Sequence, residues 1–313
     1  MLSSVPHEPD SLVVRTDEGD GIHFLDWGGP AAPSERVPPI LLVHGLCATA
    51  WAWTTVARTL REHTRVIAMD LRGHGLSDSP RTGYDLESLA FDALTVLVAN
   101  GFGSDADGPP AAVSGHGLGA MVAAAMAWIQ PESVAAVSLV DGGWEELGEA
   151  TGMTAADFER TIGDPPEVLA SMESYLADRR EFDPASWDAD QERAARAAVD
   201  EKHAGHVGLV TRVHALRGSI EAMFHYRPIE ILGSLPMPIQ IAVAESGAAD
   251  DETARERRIA LDDVVRERAD AGLSPPDIRH FSGAGHNLMR YRPAELSDAL
   301  LDLLRAGETH QRP

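Results

Sequence analysis

The residues best placed to do chemistry surround Gly115-His116-Gly117-Leu118-Gly119. The apolar run Ala111 to Val113 precedes them, and the alanine-rich run Met121 to Ile129 follows. That order reads as strand, sharp turn, helix. A Gly-x-Ser-x-Gly turn of this kind lifts its middle side chain to the top of a sheet, over the N-terminus of the next helix. Gly115 and Gly119 fill the flanking positions, where backbone crowding excludes a Cβ. The middle position carries Gly117 and therefore no nucleophile. Other reactive groups are sparse. Cys47 is the only cysteine, so an internal disulfide is excluded. Its loop does not suit the elbow geometry, and it reads as a small packed hydrophobe. Of 13 histidines, His203, His206, His214 and His225 fall within one block, at spacings that close no metal site. Neither a metal nor a cofactor is expected.

Those residues need a scaffold, and the chain supplies an alternating one. Ser11 to Thr16 and Ile22 to Trp27 read as an antiparallel pair around the turn Asp17 to Gly21. Ile40 to Val43, Arg65 to Met69, the elbow strand and Val134 to Val140 are short apolar runs suited to a sheet covered on both faces. Helices are expected at Trp51 to Glu62 and from Asp85, whose Leu86, Leu89, Ala90, Ala93, Leu94 and Leu97 recur at helical spacing. This alternation predicts an α/β fold with a doubly wound, mostly parallel sheet. From Gly142 to about Leu232 the pattern turns helical, without a convincing buried strand. Asp164-Pro165-Pro166 opens a helix to Arg179, Asp183-Pro184 opens another to about His203, and His206 to Tyr226 gives one or two more. Strand and helix then resume at Ile239 to Ala244, Asp251 to Ala271 and Asp277 to Phe281, with a last helix from Pro293. Residues 1–142 and 233–313 are thus expected to form one core, and residues 143–232 an inserted helical cap.

Charge narrows the partners. With 26 Lys and Arg against 49 Asp and Glu, the net charge is −23. Nucleic acid and anionic membranes reward clustered cations, so neither is an expected partner. Met1 to Asp10 has neither a basic start nor an apolar core, and the run Ala120 to Ile129 is too short to span a bilayer. The expectation is a cytoplasmic, soluble protein.

Four stretches together resemble the α/β-hydrolase superfamily, of the capped, esterase- or lactonase-like kind. They are Val43-His44-Gly45-Leu46, Asp70 to Asp78, the elbow, and Gly283-Ala284-Gly285-His286-Asn287. The resemblance implies an α/β-hydrolase fold with Gly117 at the nucleophile position. It also implies an oxyanion hole from the backbone N–H groups of Leu46 and Leu118, and a catalytic His286. Imidazole suits proton transfer near neutral pH. His74 and His116 resemble structural positions, and Asp70 a turn residue. The acid partner in such proteins follows the sixth or seventh strand. Asp141 stands directly after the sixth and is preferred; Glu245 and Asp250, after the seventh, are the alternatives. The implied function is hydrolysis of a small hydrophobic ester or lactone, with the nucleophile replaced by Gly117. Two other readings stay open. One is a cofactor-independent His–Asp dyad enzyme (dioxygenase, lyase or cyclase), and the other a non-catalytic receptor for a small molecule. Phe158, Tyr175, Trp187, Met223, Phe224 and Tyr226 are available either to line an apolar pocket or to form the cap's own core.

Overall fold

A computed structural model describes residues 7–31, 37–162, 171–203, 206–245, 247 and 251–310. Its strands are β1 (Asp10–Arg15), β2 (Gly21–Gly28), β3 (Ile40–Val43), β4 (Val66–Met69), β5 (Ala111–His116), β6 (Val134–Val140), β7 (Val199–His203), β8 (His206–Leu209), β9 (Ile239–Glu245) and β10 (Asp277–Ser282). Eight of them form one sheet in the order β1-β2-β4-β3-β5-β6-β9-β10. Only β2 runs against the rest. The central strands β3 to β6 are buried along their whole length, as continuous apolar runs require when helices cover both faces.

The helices are α1 (Thr54–Leu60), α2 (Leu86–Ala99), α3 (Leu118–Ile129), α4 (Leu147–Thr151), α5 (Ala155–Ile162), α6 (Met172–Phe182), α7 (Ala189–Ala197), α8 (Val213–His225), α9 (Pro228–Leu232), α10 (Asp251–Asp270), α11 (Leu288–Tyr291) and α12 (Pro293–His310). Leu89, Ala93 and Val96 of α2 share one apolar core with α3 and with Leu261 and Val264 of α10. On the other face, Val56 and Leu60 of α1 pack with Leu296, Leu300 and Leu304 of α12. Asp85 caps α2 by accepting from the Ser88 N–H at 2.9 Å. The stretch Leu86–Ala106 is apolar and long enough to cross a bilayer by length and composition alone. Its buried side is part of the domain core.

Between β6 and β9 lie α4 to α9 and a small antiparallel hairpin of β7 with β8, none of which joins the eight-stranded sheet. The hairpin corrects the expectation that this block is wholly helical and that the helix after Asp183 reaches His203. Among its described side chains, the apolar side is Val199 opposite Leu209 together with the buried Val207. So few buried side chains leave no periodic signature to read. The segment Trp51 to Glu62 also starts differently from expectation, with a 3-10 turn at Ala50–Trp53 before α1. The predicted helix start at Asp164 lies outside the described residues.

Candidate active site

The elbow forms where β5 meets α3. Gly117 takes φ 53° and ψ −115°, a conformation that residues with a side chain rarely adopt. Its N–H donates to the Val140 carbonyl at 3.1 Å, which ties the turn to β6. A Cβ on Gly115 would overlap the Gly119 carbonyl, and one on Gly119 would overlap the Val43 carbonyl. The two flanking glycines therefore let strand, helix and the neighbouring turn approach closely.

A Cβ on Gly117 behaves otherwise. Its nearest neighbours would be His286 Nε2 at 3.6 Å, His286 Cε1 at 3.8 Å and Gly45 Cα at 3.9 Å, all ordinary contacts. The direction in which a side chain would project thus faces the His286 imidazole and borders the His44-Gly45-Leu46 turn. Leu118 opens α3, where the first N–H groups have no partner within the helix. His44 fixes the opposite turn. Its Nδ1–H donates to the Gly45 carbonyl at 2.7 Å, and its Nε2 accepts from the Leu71 N–H at 3.0 Å. Burial keeps this ring neutral, against the pull of Asp70.

His286 follows β10, and its side chain is 59% exposed. Its Nδ1–H donates to Asp141 Oδ2 at 2.7 Å, so Nε2 is left to face the Gly117 turn. Asp141 closes β6 in a left-handed conformation, φ 46°, which aspartate tolerates better than most residues. Its second oxygen, Oδ1, accepts from the Ala244 N–H at 2.9 Å and from Arg257 Nη2 at 2.7 Å. Burial opposes ionisation of this carboxyl. The His286 hydrogen bond and the Arg257 charge outweigh it and hold the pKa down to about 2. His116 packs its ring 4.3 Å from that of His286 and donates Nε2–H to the His286 carbonyl at 3.0 Å. Burial, reinforced by the nearby His286, pushes its pKa down to about 3, so it supports the loop as a neutral ring.

The structure brings together Gly117, His286, Asp141 and the turns carrying Leu46 and Leu118. It does not bring Glu245 to the imidazole, which corrects that alternative. Glu245 Oε1 accepts from His280 Nδ1 at 2.8 Å and Oε2 from Ser282 Oγ at 2.8 Å, at the outer end of β9 and β10. Ser282 stands opposite Glu245 in the β9–β10 register and His280, two residues earlier, shares its face, so the carboxylate is held by β10. Asp250 lies outside the described residues. Asp70 is a buried anchor, accepting from His23 Nδ1 and from the Ala50 and Leu76 N–H groups. Cys47 sits beside the Leu46 turn, and burial pushes its thiol up to about 11 despite a hydrogen bond to Thr211. A thiol held so firmly protonated is a poor nucleophile. No metal-binding group of His, Cys, Asp or Glu occurs among the described residues.

Sequence reasoning missed Arg257, Glu145 and Trp144. Arg257 sits in a helix so rich in charge that any one arginine reads as solvated. Of the candidate pocket residues in the block between β6 and β9, Met223 and Tyr226 join the main core of the domain, and Phe158 and Phe224 pack against it. Phe158 meets Phe224 edge-on at 5.7 Å, Met223 is buried, and the buried Tyr226 donates to the Gly143 carbonyl at 3.0 Å. Two open cavities, of about 360 Å³ beside Gly29 and Arg65 and about 280 Å³ beside His280 and Asp302, lie away from the elbow.

The description of the alpha/beta hydrolase family matches residues 40–299. The chain belongs to the alpha/beta hydrolase family. Among curated members, it is 37% identical over 87 residues to a non-heme chloroperoxidase of Streptomyces lividans, covering 28% of this chain and 30% of that protein. It is 30% identical over 143 residues to a 2-(acetamidomethylene)succinate hydrolase of Mesorhizobium japonicum, covering 45% of this chain and 49% of that protein. The chain thus spans half or less of the length of these curated relatives. A solved E-2-(acetamidomethylene)succinate hydrolase superposes with a TM-score of 0.73 at 21% identity, covering 95% of this chain and all of that one. At that identity the likeness is one of fold.

Proposed function

We propose that this is a hydrolase site of the serine type for a small hydrophobic ester or lactone, in which the nucleophile position is occupied by Gly117. The observation that carries the reading is the direction of the absent side chain. A Cβ at position 117 meets no obstruction and stands 3.6 Å from His286 Nε2, the distance at which a hydroxyl one bond further on reaches hydrogen-bond contact. In this reading His286 is the base, Asp141 fixes its tautomer and stabilises its charged form, and the N–H groups of Leu46 and Leu118 take up the oxyanion. Residues 143–232 act as a cap over the site. Contacts from that block to loops beyond the strand ends support this, among them Thr211 to Cys47 and Ser186 to Arg290. The hydrolase relatives support the reaction class, and the acidic surface supports a small-molecule substrate rather than nucleic acid or membrane.

Without a hydroxyl, the chain as it stands forms no acyl-enzyme. Its turnover is limited to water activated directly by His286. Gly117→Ser is the test. In a comparable triad, loss of the serine costs about 10⁶ in kcat, so restoration is expected to raise ester or lactone turnover by ~10³ or more, with a pre-steady-state burst. A folded Gly117→Ser protein with no gain on a panel of short esters and lactones overturns the proposal. A second reading, a dyad enzyme without a covalent intermediate, draws on the exposed His286 ring facing an open position. It predicts that Gly117→Ser lowers the native activity and that His286→Ala abolishes it.

A further inference from the structure

We infer that Arg257 is a positioning residue that acts on His286 through Asp141, offsetting the carboxylate's charge and so weakening its pull on the imidazole proton. The inference rests on the Asp141–His286 reading of the site. Its starting point is that Asp141 is held by more donors than anchoring requires. Oδ2 is taken by His286 Nδ1–H at 2.7 Å, and Oδ1 already has the Ala244 N–H at 2.9 Å. The guanidinium adds a third contact, Nη2 to Oδ1 at 2.7 Å, and with it a full positive charge.

That charge is fixed in place. Arg257 Nε donates to Glu145 Oε1 at 3.2 Å, and its planar face lies 4.6 Å from the centre of the fully buried Trp144 ring. Glu145 is buried in turn, with Oε2 accepting from the Trp144 N–H at 3.2 Å. Arg257 therefore reaches in from α10, which follows β9 in the chain, to meet an acid at the end of β6. A planar fork pre-organised by a carboxylate and an aromatic face loses little freedom in holding this position.

The charged and titratable groups around the imidazole can be named by element. Asp141 faces it from the end of β6, and the neutral His116 from the end of β5. Behind Asp141 stand Arg257 on α10 and, farther off, Glu145 after β6. A bare Asp141 pulls the imidazole toward its charged form. Arg257, shared with Glu145, sets a positive charge against that pull and offsets part of it. Anchoring alone needs a donor and no charge, so the two roles separate experimentally.

The test is the pH titration of the His286 ring by long-range ¹H–¹⁵N correlation in the Gly117 protein, with His286→Gln used to assign the signal. Arg257→Gln keeps a donor for Asp141 and removes the charge. The titration of His286 is expected to move upward by about 0.5–1 unit, and Arg257→Lys to bring it back. Where Arg257→Gln fails to fold, Arg257→Gln combined with Glu145→Gln relieves the unpaired buried acid. Because Glu145 is the farther group, that pair of changes keeps the upward sign at equal or smaller size. A titration unchanged or moved downward in a folded variant overturns the inference. In the Gly117→Ser background the acid limb of kcat/KM should move upward with it. If that background shows no activity, the hydrolase reading fails, while the ring titration still decides the role of Arg257.

Discussion

Two glycines two positions apart answer a methyl group in different ways. At Gly117 the obstacle is the backbone angle alone, since the space toward His286 is open. Gly117→Ala should therefore cost about 1–3 kcal/mol, the scale of holding a side chain in a sparsely populated conformation. At Gly115 the obstacle is the Gly119 carbonyl, fixed by the start of α3. Gly115→Ala has to push strand and helix apart and should cost more than ~4 kcal/mol, or prevent folding. Denaturation midpoints of the two variants decide the matter; equal losses would mean that the turn yields as a unit. The tolerance at 117 leaves one position of the candidate site chemically free while its flanking glycines are sterically fixed.

At the scale of elements, the block between β6 and β9 is fastened to the core by ion pairs and aromatic faces as well as by apolar packing. Asp190 of α7 pairs with Arg58 of α1, and Arg193 of α7 lies 4.8 Å over the Trp51 ring. Glu8 pairs with both arginines. Partly exposed pairs of this kind contribute about 1 kcal/mol or less each. Asp190→Ala should leave global stability nearly unchanged but raise amide exchange in α7, with α3 unaffected; unchanged exchange in α7 would show that apolar contacts alone hold it. The same block marks where the sequence stops being legible. The core strands could be read because each is a continuous apolar run between turn residues, as in Ile40–Val43 and Val134–Val140. Gly117 and His286 stood out because the turns that present them carry glycines at fixed offsets, and Asp141 because it directly follows the strand Val134–Val140. The β7–β8 hairpin could not, since it buries too little to impose a period. Arg257 could not either: its partner Asp141 lies over a hundred positions earlier in the chain, and nothing local distinguishes it from the other arginines of α10.

For the whole molecule, buried neutral histidines set the response to acid. Burial, aided by the neighbouring His44, pushes His74 down to about 3, and His116 is held at about the same value. An unfolded histidine titrates near 6.5. Between about pH 6.5 and 3 the unfolded chain binds protons that the folded chain refuses, so stability falls as pH falls, by about 1 kcal/mol per unit for each ring. Asp141, lowered to about 2, adds a loss between about pH 4 and 2. Relief of the −23 net charge works the other way, so the comparison with His74→Gln carries the test. That variant should lose less stability between pH 7 and 5 than the parent; parallel curves would contradict the buried neutral ring. The sheet order has a consequence of another kind. β6 pairs with β9, yet on the order of 100 residues separate them, and synthesis at roughly 5–20 residues per second makes that a wait of about 5–20 s. Throughout it, the strand Val134–Val140, apolar on both faces, stands with one edge unpaired. A nascent chain halted between Asp141 and Ile239 is thus the form of this protein most exposed to aggregation, and Asp141 stays without Ala244, Arg257 and His286 until the last quarter of the chain has emerged.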